Sequence, residues 1–330
     1  MRKLFIHVGP HKTGTTAIQK FMLDNHAVLF ANGLVYPKRY LQIFGHHKFR
    51  EKIVNKNVSA QDMEFFGLQT HNYLLSSEDF ISLSKQDFEY IKQQFSDFEV
   101  HVIFSWRRAS NKMYSIWQEV IKHGDWVDFF AYYHNHIAKP GSSQMLSPDL
   151  KISTLAQVFG RKNIHIIDYE ASQKNNALFS DYLKTLGLSF DDKYNIKIDE
   201  NAKNESMPVQ DIEIIRALNL IFNQQYQIKG AAVRNAFKQH FDGLSKDLIA
   251  QLHKIISDNL LALNVGNYFI DVRAEKIMNE RFSANLVNYQ PYTDNKTVQI
   301  ASSEWLLNQH AQTALNELAK QLYQLAFAQQ

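Results

Sequence analysis

The chain has no cysteine among its 330 residues, so disulfide bonds, thiolate zinc sites and cysteine nucleophiles are excluded. It also has no large excess of charge, because 36 basic residues stand against 33 acidic ones and leave a formal net charge of +3. That balance argues against a nucleic-acid polymer or an anionic membrane as the main partner. No stretch approaches the roughly 20 apolar residues of a membrane span, and the first apolar run, residues 4–8, is too short for the core of a signal peptide. These absences predict a cytoplasmic protein with no integral membrane contact.

Short apolar runs alternate with helical patterns over the first half of the chain. Hydrophobic residues make up 45% of the sequence and aromatic residues 13%, which is enough for a sizeable core. Apolar runs with polar or glycine-containing borders, which are typical of buried parallel strands, lie at residues 4–8, 72–76, 100–104 and 164–167. Helical spacing lies between them at residues 15–31, 85–95, 111–122 and 151–159. This alternation predicts an α/β fold with a doubly wound parallel sheet, in which ligands gather at the carboxyl ends of the strands.

The pattern changes after about residue 200. Helical spacing continues at residues 211–225, 244–263 and 304–328, and no run between them has the character of a strand. We therefore predict an α/β core at residues 1–200 and a helical C-terminal extension packed on it at residues 201–330. The extension is expected either to cover the acceptor cleft or to form a contact in a homo-oligomer.

The segment after the first predicted strand carries most of the functional information. Residues 8–16 read VGPHKTGTT and open a helix. A strand, a glycine-containing loop and a helix N-terminus aim several backbone N–H groups at one point, and the helix dipole favours an anion there. Gly9 and Gly14 can adopt backbone angles that other residues resist and let a phosphate approach closely, while Thr15 and Thr16 add hydroxyl donors. The segment is therefore predicted to bind the phosphate of a nucleotide.

This loop differs from that of the nucleoside triphosphatases in the place of its lysine. Their pattern is GxxxxGK followed by Ser or Thr. Here Gly9 and Gly14 keep the spacing, but Thr15 follows the second glycine and Lys12 stands between the two glycines. An ammonium group at Lys12 suits a bridging oxygen that gains negative charge as a group departs. The nucleotide is thus predicted to serve as a group donor.

At these residues the chain resembles the sulfotransferases that use 3′-phosphoadenosine 5′-phosphosulfate (PAPS). Their 5′-phosphosulfate loop has the form PKxGTT or, in many bacterial members, HKTGTT, and residues 11–16 match the second form at every position. The SSE segment at residues 76–78 is also similar to one in bacterial members. The resemblance implies a P-loop-like sulfotransferase fold that uses PAPS as co-substrate and requires no metal, with Lys12 supplying the positive charge that Mg²⁺ supplies in kinases.

A second segment of the chain resembles the same family. Residues 104–115 read FSWRRASNKMYS, and family members have an arginine at the strand end and a serine eight positions later, both on the donor's 3′-phosphate. Arg107 and Ser115 have this spacing, and arginine presents a planar fork of donors to phosphate oxygens. Where the family often has Asp-Pro or Asn-Pro after the arginine, this chain has Arg108 and Ala109. Either Arg107 or Arg108 is therefore the expected ligand.

The resemblance assigns roles to these residues. Lys12 is expected at the oxygen between sulfate and 5′-phosphate. An acceptor hydroxyl also needs a general base: Glu78, just after the second predicted strand, is favoured narrowly over His11, which lies in the loop and titrates in a useful range. The expected site is then Lys12, Glu78 and His11 as catalytic residues, and Lys12, Thr13, Gly14, Thr15, Thr16, Arg107 and Ser115 as donor-binding residues.

Other residues near these motifs keep two interpretations. Trp106, Tyr114 and Trp117 either stack on the adenine or a sugar ring, or belong to the core, as aromatic residues at helical spacing usually do. His46 and His47 fall in a stretch that could line the acceptor side, and we assign them no role.

The sequence as a whole favours a sulfotransferase that moves a sulfuryl group from PAPS to a hydroxyl acceptor, either a carbohydrate or another small molecule. The alternative is a P-loop kinase acting on a nucleotide or small metabolite. Thr15 stands where its lysine belongs, and the third strand ends without a clear aspartate for Mg²⁺. A third possibility is a binding protein on the same scaffold that has lost turnover. The intact Lys12, Arg107 and Ser115 argue against that loss.

Overall fold

A six-stranded parallel sheet is the largest sheet of the described structure. The computed structural model describes residues 1–143, 145–189, 207–264, 269–291 and 297–328. The strands in these ranges are β1 (Arg2–His7), β2 (Leu34–Val35), β3 (Asn72–Ser76), β4 (Phe98–Trp106), β5 (Ile164–Asp168), β6 (Leu260–Asn264), β7 (Leu286–Val287) and β8 (Thr297–Ala301). Six of the described strands form one sheet in the order β2-β3-β1-β4-β5-β7, and every neighbouring pair in it is parallel.

Helices connect most of these strands. Those in the described ranges are α1 (Thr15–Asp24), α2 (His26–Ala31), α3 (His47–Val54), α4 (Ala60–Glu64), α5 (Lys85–Gln94), α6 (Ala109–Lys122), α7 (Phe129–Ala138), α8 (Pro148–Phe159), α9 (Tyr169–Lys174), α10 (Leu178–Thr185), α11 (Val209–Gln225), α12 (Ala232–Gln239), α13 (Lys246–Asp258), α14 (Phe269–Phe282) and α15 (Gln309–Ala326).

The chain divides into two compact units. The first consists of Met1–Ala109, Gln144–Lys203 and Phe269–Tyr292, and the second of Ser110–Ser143, Asn204–Tyr268 and Thr293–Gln330. The predicted boundary between a core and an extension, at residue 200, falls within residues 190–206 and lies outside the described residues.

In the first unit, apolar side chains cover both faces of the sheet. Side chains alternate along a strand, so Leu4 and Ile6 of β1 enter one buried cluster and Phe5 enters another. Helices α3, α5, α8 and α14 complete the first cluster, and α1, α2 and α10 complete the second. Burial on both faces explains why the strands read as nearly continuous apolar runs. The predicted α/β fold with a parallel central sheet is confirmed.

Strand β1 lies in the middle of this sheet, with Leu4 opposite Tyr73 of β3 and Val100 of β4. The chain proceeds from β1 to β2 and β3 on one side, and then to β4 and β5 on the other. The strand order therefore reverses beside β1. In open α/β sheets, ligands bind at the carboxyl edge next to such a reversal.

The expectation that no strand follows residue 201 is wrong. In the second unit β6 pairs antiparallel with β8, Leu260 lying opposite Ala301, and in the first unit β7 joins β5 through Val287 and Ile167. Helix α13 ends at Asp258 instead of continuing to residue 263. The LLALN run of β6 suits a helix by composition, but its partner TVQIA is rich in β-branched residues that favour a strand. Cross-strand pairing thus overrides local propensity here.

The second unit has its own core. Trp117, Ile215 and Trp305 are fully buried in it together with side chains of α12, α13 and α15. The indole N–H of Trp305 donates to Glu213 Oε2 at 2.9 Å, and Arg216 donates to the same oxygen at 2.7 Å.

None of the helices in the described ranges is long and apolar enough to cross a membrane.

Candidate functional site

The loop after β1 leaves the sheet at its carboxyl edge. Val8 donates its N–H to Ile103 O at 3.0 Å, and Ser105 donates its N–H to Gly9 O at 2.8 Å, so the start of the loop stays bonded to β4. Gly9 has a φ of 81°, and a Cβ there would lie 2.9 Å from Glu78 Cα. Only glycine accepts that angle and that approach. The loop therefore passes directly against the turn that follows β3.

The second glycine of the loop sets the start of α1. Gly14 has a φ of 72°, and a Cβ on it would meet Leu178 Cδ2 at 3.0 Å and Tyr169 Cε2 at 3.1 Å. Its carbonyl accepts the first helical bond, from Ile18 N–H at 3.0 Å. No side chain in the described residues caps this helix. Its first N–H groups thus point into the loop, where the helix dipole favours an anion.

The side chains between the two glycines play different parts. Thr13 is fully buried and donates from Oγ1 to Pro10 O at 2.6 Å, which closes the loop on itself. Lys12 is half-buried in a left-handed backbone conformation with a φ of 64°. Thr15 is buried and Thr16 is exposed. The hydroxyl of Thr13 therefore stabilises the conformation of the loop through its bond to Pro10 O.

Arg107 reaches this loop from the end of β4. Its Nη1 donates to Lys12 O at 2.7 Å, and its guanidinium carbon lies 5.5 Å from the centre of the Tyr169 ring. Glu170 Oε1 lies 4.0 Å from Arg107 Nε. Burial raises the pKa of Glu170, and the nearby Arg108 and Arg107 oppose that rise. The structure therefore brings together two of the predicted donor-binding residues, Lys12 and Arg107.

Arg108 points into the protein instead. It is 1% exposed and donates from Nη1 to Asp168 at 2.6 Å and to Glu170 at 3.1 Å, and from Nη2 to Glu275 at 3.2 Å and to Gln290 O at 3.0 Å. Burial lowers the pKa of the Arg108 guanidinium, but these carboxylates outweigh burial and hold the pKa above its ordinary value. Arg108 thus joins β4, β5, α9 and α14 within the first unit.

The remaining residues of the second motif lie partly in the second unit. Ser115 is on α6 and donates from Oγ to Asn111 O at 3.3 Å; its pairing with Arg107 on one phosphate stays a prediction. Trp106 is 1% exposed in the core of the first unit, and Trp117 is fully buried in the core of the second. Tyr114 packs against that second core. For these three aromatic residues the structure supports the core interpretation.

Glu78 lies in a polar cluster beside the loop. Gln19 of α1 donates from Nε2 to Glu78 Oε2 at 2.8 Å. His47, the first residue of α3, has Nε2 at 3.8 Å from the same oxygen and Nδ1 at 2.8 Å from Asp79 Oδ2. Ser77 Oγ lies 2.9 Å from His47 Nδ1. The predicted base is therefore fixed in place by an amide and faces an imidazole.

Within this cluster, His47 and Asp79 shift each other's pKa. The hydrogen bond that His47 donates to Asp79 raises the pKa of His47, burial opposes this, and the charge of Glu78 adds to it. In return, His47 lowers the pKa of Asp79. His11, the other predicted base, has Nε2 at 3.6 Å from Asp79 Oδ1. Both base candidates thus lie in one cluster of the first unit.

His46 and His47 differ sharply in environment. His46 is fully buried; its Nδ1 accepts the Ser76 N–H at 3.0 Å and its Nε2 donates to Pro37 O at 2.8 Å. Burial lowers the pKa of His46 to about 4, so it serves as a neutral structural group. Sequence reasoning set both residues aside, and no local signal separates them, because the contacts of His47 with Glu78 and Asp79 span about 30 positions of chain.

A buried row of hydrogen-bonded side chains lies next to the loop. It was not predicted from the sequence. His7, the last residue of β1, has Nδ1 at 2.8 Å from Ser76 Oγ and Nε2 at 2.6 Å from the Tyr182 hydroxyl. That hydroxyl lies 2.7 Å from Ser105 Oγ. Burial lowers the pKa of His7 to about 3, so the imidazole is neutral. These hydrogen bonds connect β1, β3, β4 and α10 next to the loop.

The described residues contain no group of three His, Asp or Glu side chains placed to hold a metal ion. No family model and no curated protein matches this chain. Among the solved structures, it is similar to a sulfotransferase from Alicyclobacillus acidocaldarius, with 14% identity and a TM-score of 0.39 over 71% of this chain and 99% of that one.

Proposed function

We propose that this protein is a sulfotransferase that transfers the sulfuryl group of PAPS to a hydroxyl acceptor, a carbohydrate or another small molecule. The observation that carries the proposal is the Arg107–Lys12 contact at the loop after β1. It holds the guanidinium of Arg107 against the main chain of Lys12, in a loop whose glycines admit a phosphate. A compact, strongly hydrated ammonium and a planar guanidinium suit two different anionic groups of one ligand.

The donor would be bound by its two ends. The N–H groups at the start of α1, with Gly14, Thr15 and Thr16, would bind the 5′-phosphate, since a helix N-terminus is an anion site. Arg107 would bind the 3′-phosphate, and the part of Ser115 in that binding stays a prediction from the sequence motif. Arg108 already donates to three carboxylates, which favours Arg107 over Arg108 for this role.

The transfer itself would depend on positioning and charge. The acceptor oxygen attacks sulfur in line, the bond from sulfur to the 5′-phosphate oxygen breaks, and its electron pair stays on that oxygen. Lys12 would neutralise the charge that develops there. Glu78, held by Gln19 at 2.8 Å, would take the hydroxyl proton as general base.

A P-loop kinase is the competing function. A kinase commonly holds Mg²⁺ with a strand-end aspartate, and the described strand β5 does end in one, Asp168. Its Oδ1 accepts from Arg108 at 2.6 Å, so this carboxylate is engaged in an internal ion pair. That contact favours sulfuryl transfer over phosphoryl transfer.

Ligand binding tests the choice of nucleotide. We expect 3′-phosphoadenosine 5′-phosphate (PAP) to raise the melting temperature, with a stabilisation of about 2.7 kcal/mol at 100 times its Kd, and ATP with Mg²⁺ to have little effect. The reverse order would favour the kinase.

Variants of two lysines separate catalysis from binding. Lys12→Ala should abolish transfer of labelled sulfate while leaving PAP binding largely intact. Lys20→Ala is the matched control, because Lys20 lies on α1 and pairs with Asp24 at the surface. A wild-type protein that binds PAP but transfers to no acceptor in a screen of hydroxyl compounds would leave only a binding role.

A further inference from the structure

His47 lies between two carboxylates at the edge of the proposed site. Its Nδ1 is 2.8 Å from Asp79 Oδ2, and its Nε2 is 3.8 Å from Glu78 Oε2. A carboxylate only accepts hydrogen bonds, so Nδ1 carries the proton and Nε2 of the neutral ring presents its lone pair toward Glu78. Asp79 thereby fixes both the orientation and the tautomer of the imidazole.

The surrounding backbone is shaped to allow this placement. A Cβ on Gly45 would lie 2.7 Å from His47 Nε2 and 2.7 Å from Gln19 Nε2. Glycine at this position therefore lets the chain pass against both side chains that face Glu78. The resulting order is Asp79, His47, Glu78 and Gln19, with the two acids contributed by one turn and the other two groups by α3 and α1.

We propose that His47 is a positioning residue for the base: it takes up, at Nε2, the proton that Glu78 removes from the acceptor, and Asp79 stabilises the imidazolium that forms. This inference rests on the proposed sulfuryl transfer and adds a second proton carrier to it. It follows the logic by which a carboxylate orients a histidine and stabilises its charged form.

The proposed reaction moves one proton in two steps, from the acceptor hydroxyl to Glu78 and from Glu78 to His47. The acceptor O–H bond breaks as the new S–O bond forms, and the proton passes to Glu78. It then passes from Glu78 to His47 Nε2, which returns Glu78 to a carboxylate. The present 3.8 Å separation is longer than a hydrogen bond, and catalytic contacts of this kind commonly tighten once the ligand is bound.

The charges around His47 favour its protonated form. Asp79 raises the pKa of His47 most, burial opposes this, and Glu78 adds to it. His46 is its neighbour in the chain, while His11 and Arg50 act on Asp79 from the loop and from α3. Because His47 must be neutral to accept the proton, activity should fall as the pH drops through a value above the ordinary 6.5 of histidine.

The experiment compares His47→Gln, Asp79→Asn and the surface control Lys48→Gln with wild type, using water as the probe acceptor. Two quantities are measured for each: the Kd for PAP, and the rate of labelled sulfate release from PAPS between pH 5 and 9. His47→Gln should bind PAP within about twofold of wild type but lose about 10²-fold in rate, the usual contribution of a positioned proton carrier. Asp79→Asn should move the acid limb of the rate profile to lower pH, and Lys48→Gln should change neither quantity.

Imidazole NMR of the same proteins gives a readout that needs no turnover. The His47 resonances should titrate above pH 6.5 and report the Nδ1–H tautomer in wild type, and should titrate at lower pH in Asp79→Asn. Unchanged rates and pH profile in a PAP-binding His47→Gln protein would overturn the inference and leave the sulfotransferase proposal standing. Failure of wild type to bind PAP would overturn the sulfotransferase proposal, and the inference with it.

Discussion

Arg107 donates from Nη1 to the main-chain oxygen of Lys12 at 2.7 Å, and so ties the end of β4 to the loop that follows β1. The neighbouring Arg108 instead forms ion pairs with the buried Asp168 and the partly buried Glu170 and Glu275. Two consecutive arginines therefore have distinct tasks, one at the proposed donor site and one in the core.

Arg107→Ala should weaken PAP binding about 10- to 100-fold, the cost of losing hydrogen bonds to a charged group, with little change in stability. Arg108→Met should instead lower the free energy of unfolding by about 3–5 kcal/mol, because Asp168, Glu170 and Glu275 lose their buried counter-charge. Isothermal titration with PAP and urea unfolding measure the two effects. If Arg108→Met folded with full stability and lost PAP binding, the assignment of the two arginines would be reversed.

Local signals predicted the loop well, whereas long-range contacts had to come from the structure. Residues 8–16 contain the predicted end of a strand, two glycines and the start of a helix within nine positions, so their conformation follows from neighbours in sequence. The partners of Arg108 lie 60 to 182 positions away, and those of His47 lie 31 and 32 positions away, so no local pattern contains them.

The same limit explains the missed strands. Strand β7 has two residues, too few to show an alternation of apolar and polar side chains. It forms because Leu286 and Val287 pair with Ile166 and Ile167 at the edge of the sheet. The helix predicted at residues 15–31 is broken at Asn25, whose side chain donates back to Phe21 O at 2.9 Å and separates α1 from α2. A tertiary contact therefore determines the strand, and a single side chain determines the break in the helix.

Gly14→Ala should damage the loop in two ways. A φ of 72° costs an alanine about 1–2 kcal/mol, and its Cβ would press on Leu178 and Tyr169 at 3.0 and 3.1 Å. We expect a lower melting temperature together with loss of PAP binding, since the N–H groups at the start of α1 shift with Gly14. Both are measured by thermal unfolding with and without PAP.

Gly160→Ala is the matched control for that variant. Gly160 also has a positive φ, 87°, but has open space where a Cβ would stand, and it lies at the end of α8, away from the loop. It should lose stability through backbone strain alone and keep the PAP-induced rise in melting temperature. Equal PAP binding by both variants would contradict a role for Gly14 in donor binding.

Stability should fall in mild acid because two histidines are buried in the neutral form. Burial lowers the pKa of His7 to about 3 and that of His46 to about 4. A lowered folded-state pKa means that stability is complete above about pH 6.5, the value in the unfolded chain, and is lost as the pH falls toward the folded-state pKa. At pH 5 the loss is about 2 kcal/mol for each histidine. His47, with its raised pKa, acts in the opposite direction, and its contribution changes only above about pH 6.5.

Urea unfolding of wild type and of His46→Gln from pH 8 to pH 4.5 measures this contribution. The variant should be less stable at pH 8, because the bonds to Ser76 and Pro37 are altered, but its stability should fall with pH by about 2 kcal/mol less than that of wild type by pH 5. The control variant is His123→Gln, a substitution of an exposed histidine that directly follows α6. Parallel pH curves for His46→Gln and wild type would show that His46 is not the buried neutral group that its contacts with the main chain require, because only a group whose pKa differs between the folded and unfolded chains can change that slope.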